Sequence, residues 1–172
     1  MRGVLKAVWL VLAAGSVVAS HATAAADGIS PPPVAGAQVP GGQTLRWHVA
    51  VVPTQAKPGD VVEVVFTADI ASGWILYSSD FNVEIGPRPA KFTFDANPAL
   101  ELVGPIHAVK AQWKKDNTFN TEYSYFARQA EFRQKARLVS PLGEVSGRIA
   151  GQTCFEESGL CELFQEKFKA SL

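Results

Sequence analysis

Cys154 and Cys161 are the only two cysteines of the 172-residue chain, and they stand in Cys154-Phe155-Glu156-Glu157-Ser158-Gly159-Leu160-Cys161, a C-x6-C spacing. Two chemistries suit such a pair. One is a structural staple, which in the chain-entropy account adds roughly 2–3 kcal/mol for a loop this short. The other is a redox couple that cycles between dithiol and disulfide by thiolate attack on sulfur. The spacing alone favours the staple, because C-x6-C is not a redox signature in the way that C-x-x-C is. Other catalytic patterns are missing: there is no P-loop, G-x-G-x-x-G, G-x-S-x-G or H-E-x-x-H. His48 and His107 are far apart, with no acidic or cysteine partner at ligand spacing, so they read as half-exposed strand residues and no metal or cofactor is expected. Trp113, Phe119, Tyr123 and Tyr125 form an aromatic cluster in sequence, either core or a binding surface.

The N-terminus decides the redox compartment. Arg2 and Lys6 form a positive n-region, Ala7 to Val18 an apolar core, and Ser20 to Ala26 a small-residue exit with A-x-A-like sites. This is the anatomy of a cleavable signal peptide, predicted over residues 1–26, and the apolar run is too short to span a bilayer comfortably. Export exposes the chain to oxidising conditions, where two cysteines are expected to pair with each other. The remaining chain, about 147 residues, suits one domain with its own core, soluble and not membrane-spanning once mature. The whole chain carries 16 basic and 16 acidic residues, and without Arg2 and Lys6 the balance is 14 against 16. That balance leaves no basic footprint for nucleic acid, and Lys114-Lys115 reads as a solvated turn.

The elements that must position the cysteines read as strands. Residues 27–43 are rich in Pro, Gly and Ala and nearly without charge, which predicts a flexible linker and a folded domain over residues 44–172. Leu45, Trp47, Val49 and Val51 then alternate with polar or small residues, the period of a half-buried strand. Short β-branched and aromatic runs follow at Val61–Phe66, Trp74–Tyr77, Lys91–Phe94, Leu100–Val103, Glu122–Phe126, Phe132–Val139, Val145–Gln152 and Leu163–Phe168. Turn clusters such as Ala71-Ser72-Gly73 and Ser140-Pro141-Leu142-Gly143 separate them. No helical periodicity is long enough for βαβ units. The predicted class is all-β, an immunoglobulin-like antiparallel sandwich, with Cys154 near the end of one strand and Cys161 beyond a loop.

Three elements in order carry a family resemblance: Gly73-Trp74-Ile75-Leu76-Tyr77-Ser78, then Asp116-Asn117-Thr118-Phe119-Asn120-Thr121-Glu122-Tyr123-Ser124-Tyr125-Phe126, then Ser146-Gly147-Arg148-Ile149-Ala150-Gly151-Gln152-Thr153-Cys154 leading to Cys161. Over Leu45 to Leu172 this resembles the N-terminal periplasmic domain of thiol:disulfide interchange proteins of the DsbD family. The resemblance implies a periplasmic module that passes electrons between protein partners, thioredoxin-fold or other disulfide-exchange proteins, through one cysteine pair. It implies that Cys161 forms the mixed disulfides and Cys154 resolves them. It also implies that Phe119 shields the pair as a movable lid, with Tyr77 beside the disulfide. Asp116, Tyr123, Glu156 and Glu157 complete the expected surroundings, the carboxylates disfavouring a thiolate. Two features depart from the pattern. Glu162-Leu163-Phe164 follow the second cysteine where the family commonly has an aromatic or aliphatic residue and Pro-Pro. No membrane-spanning carrier or thioredoxin-like domain follows, so a free-standing module reduced by a separate protein is expected. The alternatives are a non-enzymatic binding module on the same fold, using the face around Trp113, Phe119, Tyr123 and Tyr125 with the disulfide as a staple, and, last, a hydrolase with an unrecognised site.

Overall fold

The structure, a computed structural model, describes residues 37–39, 44–116, 120–141 and 143–171. The predicted signal peptide and most of the 27–43 arm lie outside the described residues. Eleven strands are described: β1 (Ala37–Val39), β2 (Leu45–Val52), β3 (Val61–Ile70), β4 (Trp74–Tyr77), β5 (Lys91–Phe94), β6 (Leu100–Ala108), β7 (Gln112–Asp116), β8 (Thr121–Ala127), β9 (Gln129–Leu138), β10 (Glu144–Phe155) and β11 (Cys161–Ser171). They form two antiparallel sheets, one in the order β1-β2-β3-β9-β6 and the other β11-β10-β4-β8-β7, with β5 pairing β10 beside β4. This is the all-β immunoglobulin-like sandwich expected from the strand spacing.

Alternation builds the core. Trp47, Val49 and Val51 of β2, Val62, Val64 and Phe66 of β3, and Phe132, Ala136 and Leu138 of β9 all point inward and are buried. They meet Leu76, Phe126, Val145, Ile149 and Phe168 from the other sheet. Phe66 is the hinge of this contact. Its ring lies 4.8 Å from Phe92 and 4.9 Å from Phe168, the latter edge-on, an arrangement aromatic quadrupoles favour.

Beyond a longer β3 and an earlier start to β9, the observed elements differ from the expected ones in four places. Ala37–Val39, inside the arm read as a linker, pair with β2 from Ala37↔Val49 to Val39↔Trp47. Gln112–Asp116 form β7, where Lys114-Lys115 read as a turn; it is an edge strand, exposed along most of its length, and so lacks the alternation that marks a half-buried strand. β6 continues to Ala108 through an irregularity between Val103 and His107, where Gly104 takes φ 67° and Pro105 has no N–H for the ladder. The buried Gln134 compensates by donating from Nε2 to the carbonyl of Gly104 at 3.0 Å and to that of Lys135 at 2.8 Å. Finally, β10 and β11 extend past their expected ends, so that both cysteines lie within strands.

Candidate functional site

The site is built on the β10–β11 hairpin. Eleven residue pairs run from Glu144↔Ser171 to Cys154↔Cys161, the last rung before the turn. The turn is closed by the Phe155 N–H donating to the Leu160 carbonyl at 2.8 Å and the Gly159 N–H donating to the Phe155 carbonyl at 2.9 Å. Gly159 takes φ 69°, a left-handed conformation that costs glycine little. In an antiparallel ladder the rung beside a hydrogen-bonded pair brings its side chains close together. Cys154 and Cys161 occupy that rung, with Cα atoms 4.0 Å apart and the sulfurs bonded.

The Gly73-Trp74 dipeptide anchors the base of the hairpin. Gly73 has φ 80°, and a Cβ there would run into the Phe155 ring. The Gly73 carbonyl accepts from the Glu156 N–H at 2.9 Å, and Trp74 packs on Phe155 with centroids 5.6 Å apart. β4 thereby pairs with the end of β10, Phe155 opposite Trp74 and Cys154 opposite Ile75.

Strand parity sends the disulfide away from the sandwich core. Val145, Ile149 and Thr153 of β10 face inward; Gln152 and Cys154 face outward. On that outer face a second apolar cluster has formed from Ile75, Tyr77, Phe81, Tyr123 and Cys154. Tyr77 and Tyr123 meet edge-to-face at 5.2 Å, and Phe81 lies 6.3 Å from each. The two sulfurs end up in unlike surroundings: Cys154 is only 5% exposed beneath this cluster, whereas Cys161 is exposed on β11, an edge strand of its sheet. The apolar residues flanking it, Leu160 and Leu163, are 57% and 61% exposed.

The local field is negative. Burial, then the neighbouring Tyr123, Asp116 and Glu156, push the Tyr77 phenol up to about 12. Burial also raises Tyr123, against the opposing pull of Lys114, with Asp116, Tyr125 and Glu156 adding to the rise. Because the neutral phenol is favoured in the folded state, the stability Tyr77 contributes is fully present below its unfolded value near pH 10 and is lost as pH rises from there to about 12. A spectrophotometric titration should show a tyrosine ionising late, near pH 12, and that late step should disappear in Tyr77→Phe. Three tyrosines titrating together near pH 10 would contradict this environment.

The structure thus brings together Cys154, Cys161, Tyr77 and Tyr123, with Asp116 and Glu156 within electrostatic reach of the phenols. Phe119 lies outside the described residues. The aromatic cluster expected from sequence divides: Tyr123 and Tyr125 face outward, whereas Trp113, 58% exposed, is paired with Ser124 and so lies on the opposite side of the sheet. His48 has an acidic neighbour in space after all, Asp69 across the β2–β3 ladder at 3.6 Å, while His107 is exposed on β6. Among the described residues no group of three or more His, Cys, Asp or Glu is placed to hold a metal ion, and no helix is long and apolar enough to cross a membrane. Sequence reasoning missed Phe81, a loop residue without any pattern. It also gave no role to Gln152, although the residue stands in a quoted motif.

Residues 45–172 match the family described as thiol:disulfide interchange protein DsbD, N-terminal, and the chain belongs to that family. Similar solved structures include the N-terminal periplasmic domain of ScsB from Proteus mirabilis, with 12% identity, a TM-score of 0.48, and coverage of 80% of this chain and 50% of that one. The reduced DsbD N-terminal domain of Neisseria meningitidis is 22% identical with a TM-score of 0.43, covering 68% of this chain and 81% of that one. A complex of the DsbD and PilB N-terminal domains from the same organism matches at 14% identity and a TM-score of 0.47, over 83% and 88% of the respective chains. The chain therefore spans half the length of the first of these structures. No curated protein matches the sequence.

Proposed function

We propose that this domain is a thiol:disulfide exchange module that passes reducing equivalents between protein partners through Cys154 and Cys161. The observation that carries the reading is the asymmetry of the bond, one cysteine exposed on an edge strand and the other, 5% exposed, packed with Tyr77, Tyr123 and Phe81. A staple needs no such difference. An exchange site does, because an incoming thiolate must reach one sulfur in line with the bond while the other leaves.

In the proposed cycle a thiolate of a partner dithiol attacks Cys161 Sγ. The Cys154–Cys161 bond breaks, its electron pair goes to Cys154 Sγ, and a mixed disulfide forms through Cys161. The partner's second thiolate then attacks its own bonded sulfur, which releases Cys161 as thiolate. Two protons taken up complete the dithiol, the partner leaves oxidised, and the reverse sequence reduces a partner disulfide. Asp116 and Glu156, whose charges reach Tyr77 and Tyr123, keep the surroundings negative and so repel a stray anionic thiolate that approaches the bond. Family membership supports partners of the thioredoxin-fold or other disulfide-exchange type, in the periplasm, with residues 1–26 as the export signal and 44–172 as the working domain. Phe119 is proposed as the lid over the pair. Phe119→Ala should speed reduction by a small thiol several-fold with little change in stability, and an unchanged rate removes the lid.

The test of the function is the equilibrium reduction potential of the pair against a dithiol buffer. A value between about −120 and −270 mV is expected, the range of working exchange couples. A value below roughly −300 mV would mark a resistant bridge. It would leave the domain as a binding module with a structural disulfide.

A further inference from the structure

Gln152 lies on the outer face of β10, two residues before Cys154 and so on the same side of the sheet. Its side-chain amide makes two hydrogen bonds of opposite sense. The backbone N–H of Arg88, in the segment entering β5, donates to Gln152 Oε1 at 3.0 Å. Gln152 Nε2 donates to Cys154 Sγ at 3.5 Å, within the longer range that sulfur acceptors allow. The first bond sets the second. A glutamine amide can present either its oxygen or its nitrogen to a neighbour, but a backbone N–H accepts nothing. With Oε1 held by Arg88, the nitrogen is the atom left to face the sulfur.

We propose that Gln152 is a positioning residue for exchange: a donor, oriented by the Arg88 backbone, that stabilises Cys154 when it carries negative charge. The inference rests on the exchange reading above. In the reductive direction Cys154 Sγ is the leaving group, receiving the electron pair of the broken bond as Cys161 passes into the mixed disulfide. A hydrogen bond to a charged acceptor is stronger than one to a neutral acceptor, so Nε2–H lowers the energy of the departing thiolate more than that of the intact disulfide. A leaving thiol of lower pKa leaves faster. In the oxidative direction the same bond raises the fraction of Cys154 present as thiolate, ready to attack Cys161. The donor also answers a specific difficulty, since Cys154 is buried under Tyr77, Tyr123 and Phe81 in a negative field and nothing else described here donates to it. The titratable and charged groups facing this cluster are Tyr77 of β4, Lys114 and Asp116 of β7, Tyr123 and Tyr125 of β8 and Glu156 of the turn.

Two substitutions in the full chain separate the donor from its support. Gln152→Leu removes both bonds. Gln152→Glu keeps an oxygen to accept from the Arg88 N–H but puts a second oxygen where the donor stood. Reduction of the disulfide by dithiothreitol at neutral pH should be slower in both variants, about three- to tenfold for Gln152→Leu and at least as much for Gln152→Glu. If Gln152 only ties down the Arg88 segment, Gln152→Glu will keep the wild-type rate, which overturns the proposal. In a Cys161→Ser background the ultraviolet absorbance of the Cys154 thiolate should appear at higher pH once Gln152→Leu is added, and an unmoved midpoint would overturn the proposal equally. Neither measurement needs a protein partner. A wild-type potential below roughly −300 mV would sink the exchange reading on its own, while equal dithiothreitol rates beside a potential in the working range would sink only the role of Gln152.

Discussion

Cys154→Ser should accumulate a mixed disulfide through Cys161 that the protein cannot resolve, and Cys161→Ser should not. With oxidised glutathione as the probe, the free Cys161 of the first variant is exposed on an edge strand and meets the disulfide directly. The free Cys154 of the second is 5% exposed and packed against Ile75, Tyr77, Phe81 and Tyr123, so an attacking geometry requires part of the cluster to move. Adduct formation, followed by mass, should be at least about tenfold slower there, the factor that corresponds to about 1.4 kcal/mol of opening cost. The wild-type dithiol should clear the same adduct, because Cys154 lies opposite Cys161 and displaces the glutathione as thiolate. Equal adduct rates for the two variants would mean that the exposure difference has no part in the chemistry.

Phe66→Ala should be among the most damaging single substitutions for stability and among the least damaging for exchange. Phe66 is fully buried between the sheets and touches Phe92, Phe94 and Phe168, so truncation leaves a cavity that rigid strands cannot close. A loss of about 3–5 kcal/mol in denaturant unfolding is expected. The disulfide sits in the other apolar cluster, on the outer face of the second sheet. Under conditions where the variant is folded, its rate of reduction by a dithiol should therefore match the wild type. A parallel loss of rate would show that the two clusters are coupled.

Legibility in the sequence followed the physics of each part. β2 and β3 could be read because each has one face buried, and the alternation of Trp47, Val49 and Val51 with Arg46, His48 and Ala50 records that directly. β7 left no such record, since an edge strand with little burial on either side imposes no period. Ala37–Val39 were hidden for another reason: three residues among Pro and Gly are too few to show a pattern, and their pairing with β2 is a long-range choice. At the site, the two cysteines were legible as the chain's one possible pair and Tyr123 as part of an aromatic run, whereas Tyr77 and the exchange role of the pair came only through family motifs. Composition could not have shown that Cys154 faces outward, because that depends on where β10 starts and on the parity of its rungs. Trp113 shows the same effect in reverse, one residue of parity placing it across the sheet from Tyr123.

The position of the disulfide on the last rung of an eleven-pair ladder couples two quantities that are usually measured separately. Oxidation and folding form a closed thermodynamic cycle, so the stability the bond adds to the fold must equal the amount by which folding makes the bond harder to reduce. Here ten other rungs already hold β10 against β11, and cutting the eleventh frees only the short turn between Phe155 and Leu160. By the chain-entropy account a loop this short is worth roughly 2–3 kcal/mol to the fold. At about 30 mV for each 1.4 kcal/mol, that holds the folded domain only roughly 40–60 mV below the same dithiol in a flexible chain. A cross-link spanning distant parts of the sandwich would have drawn on the whole fold and been driven toward permanence. This one can open and close while the sheet beneath it stays in register.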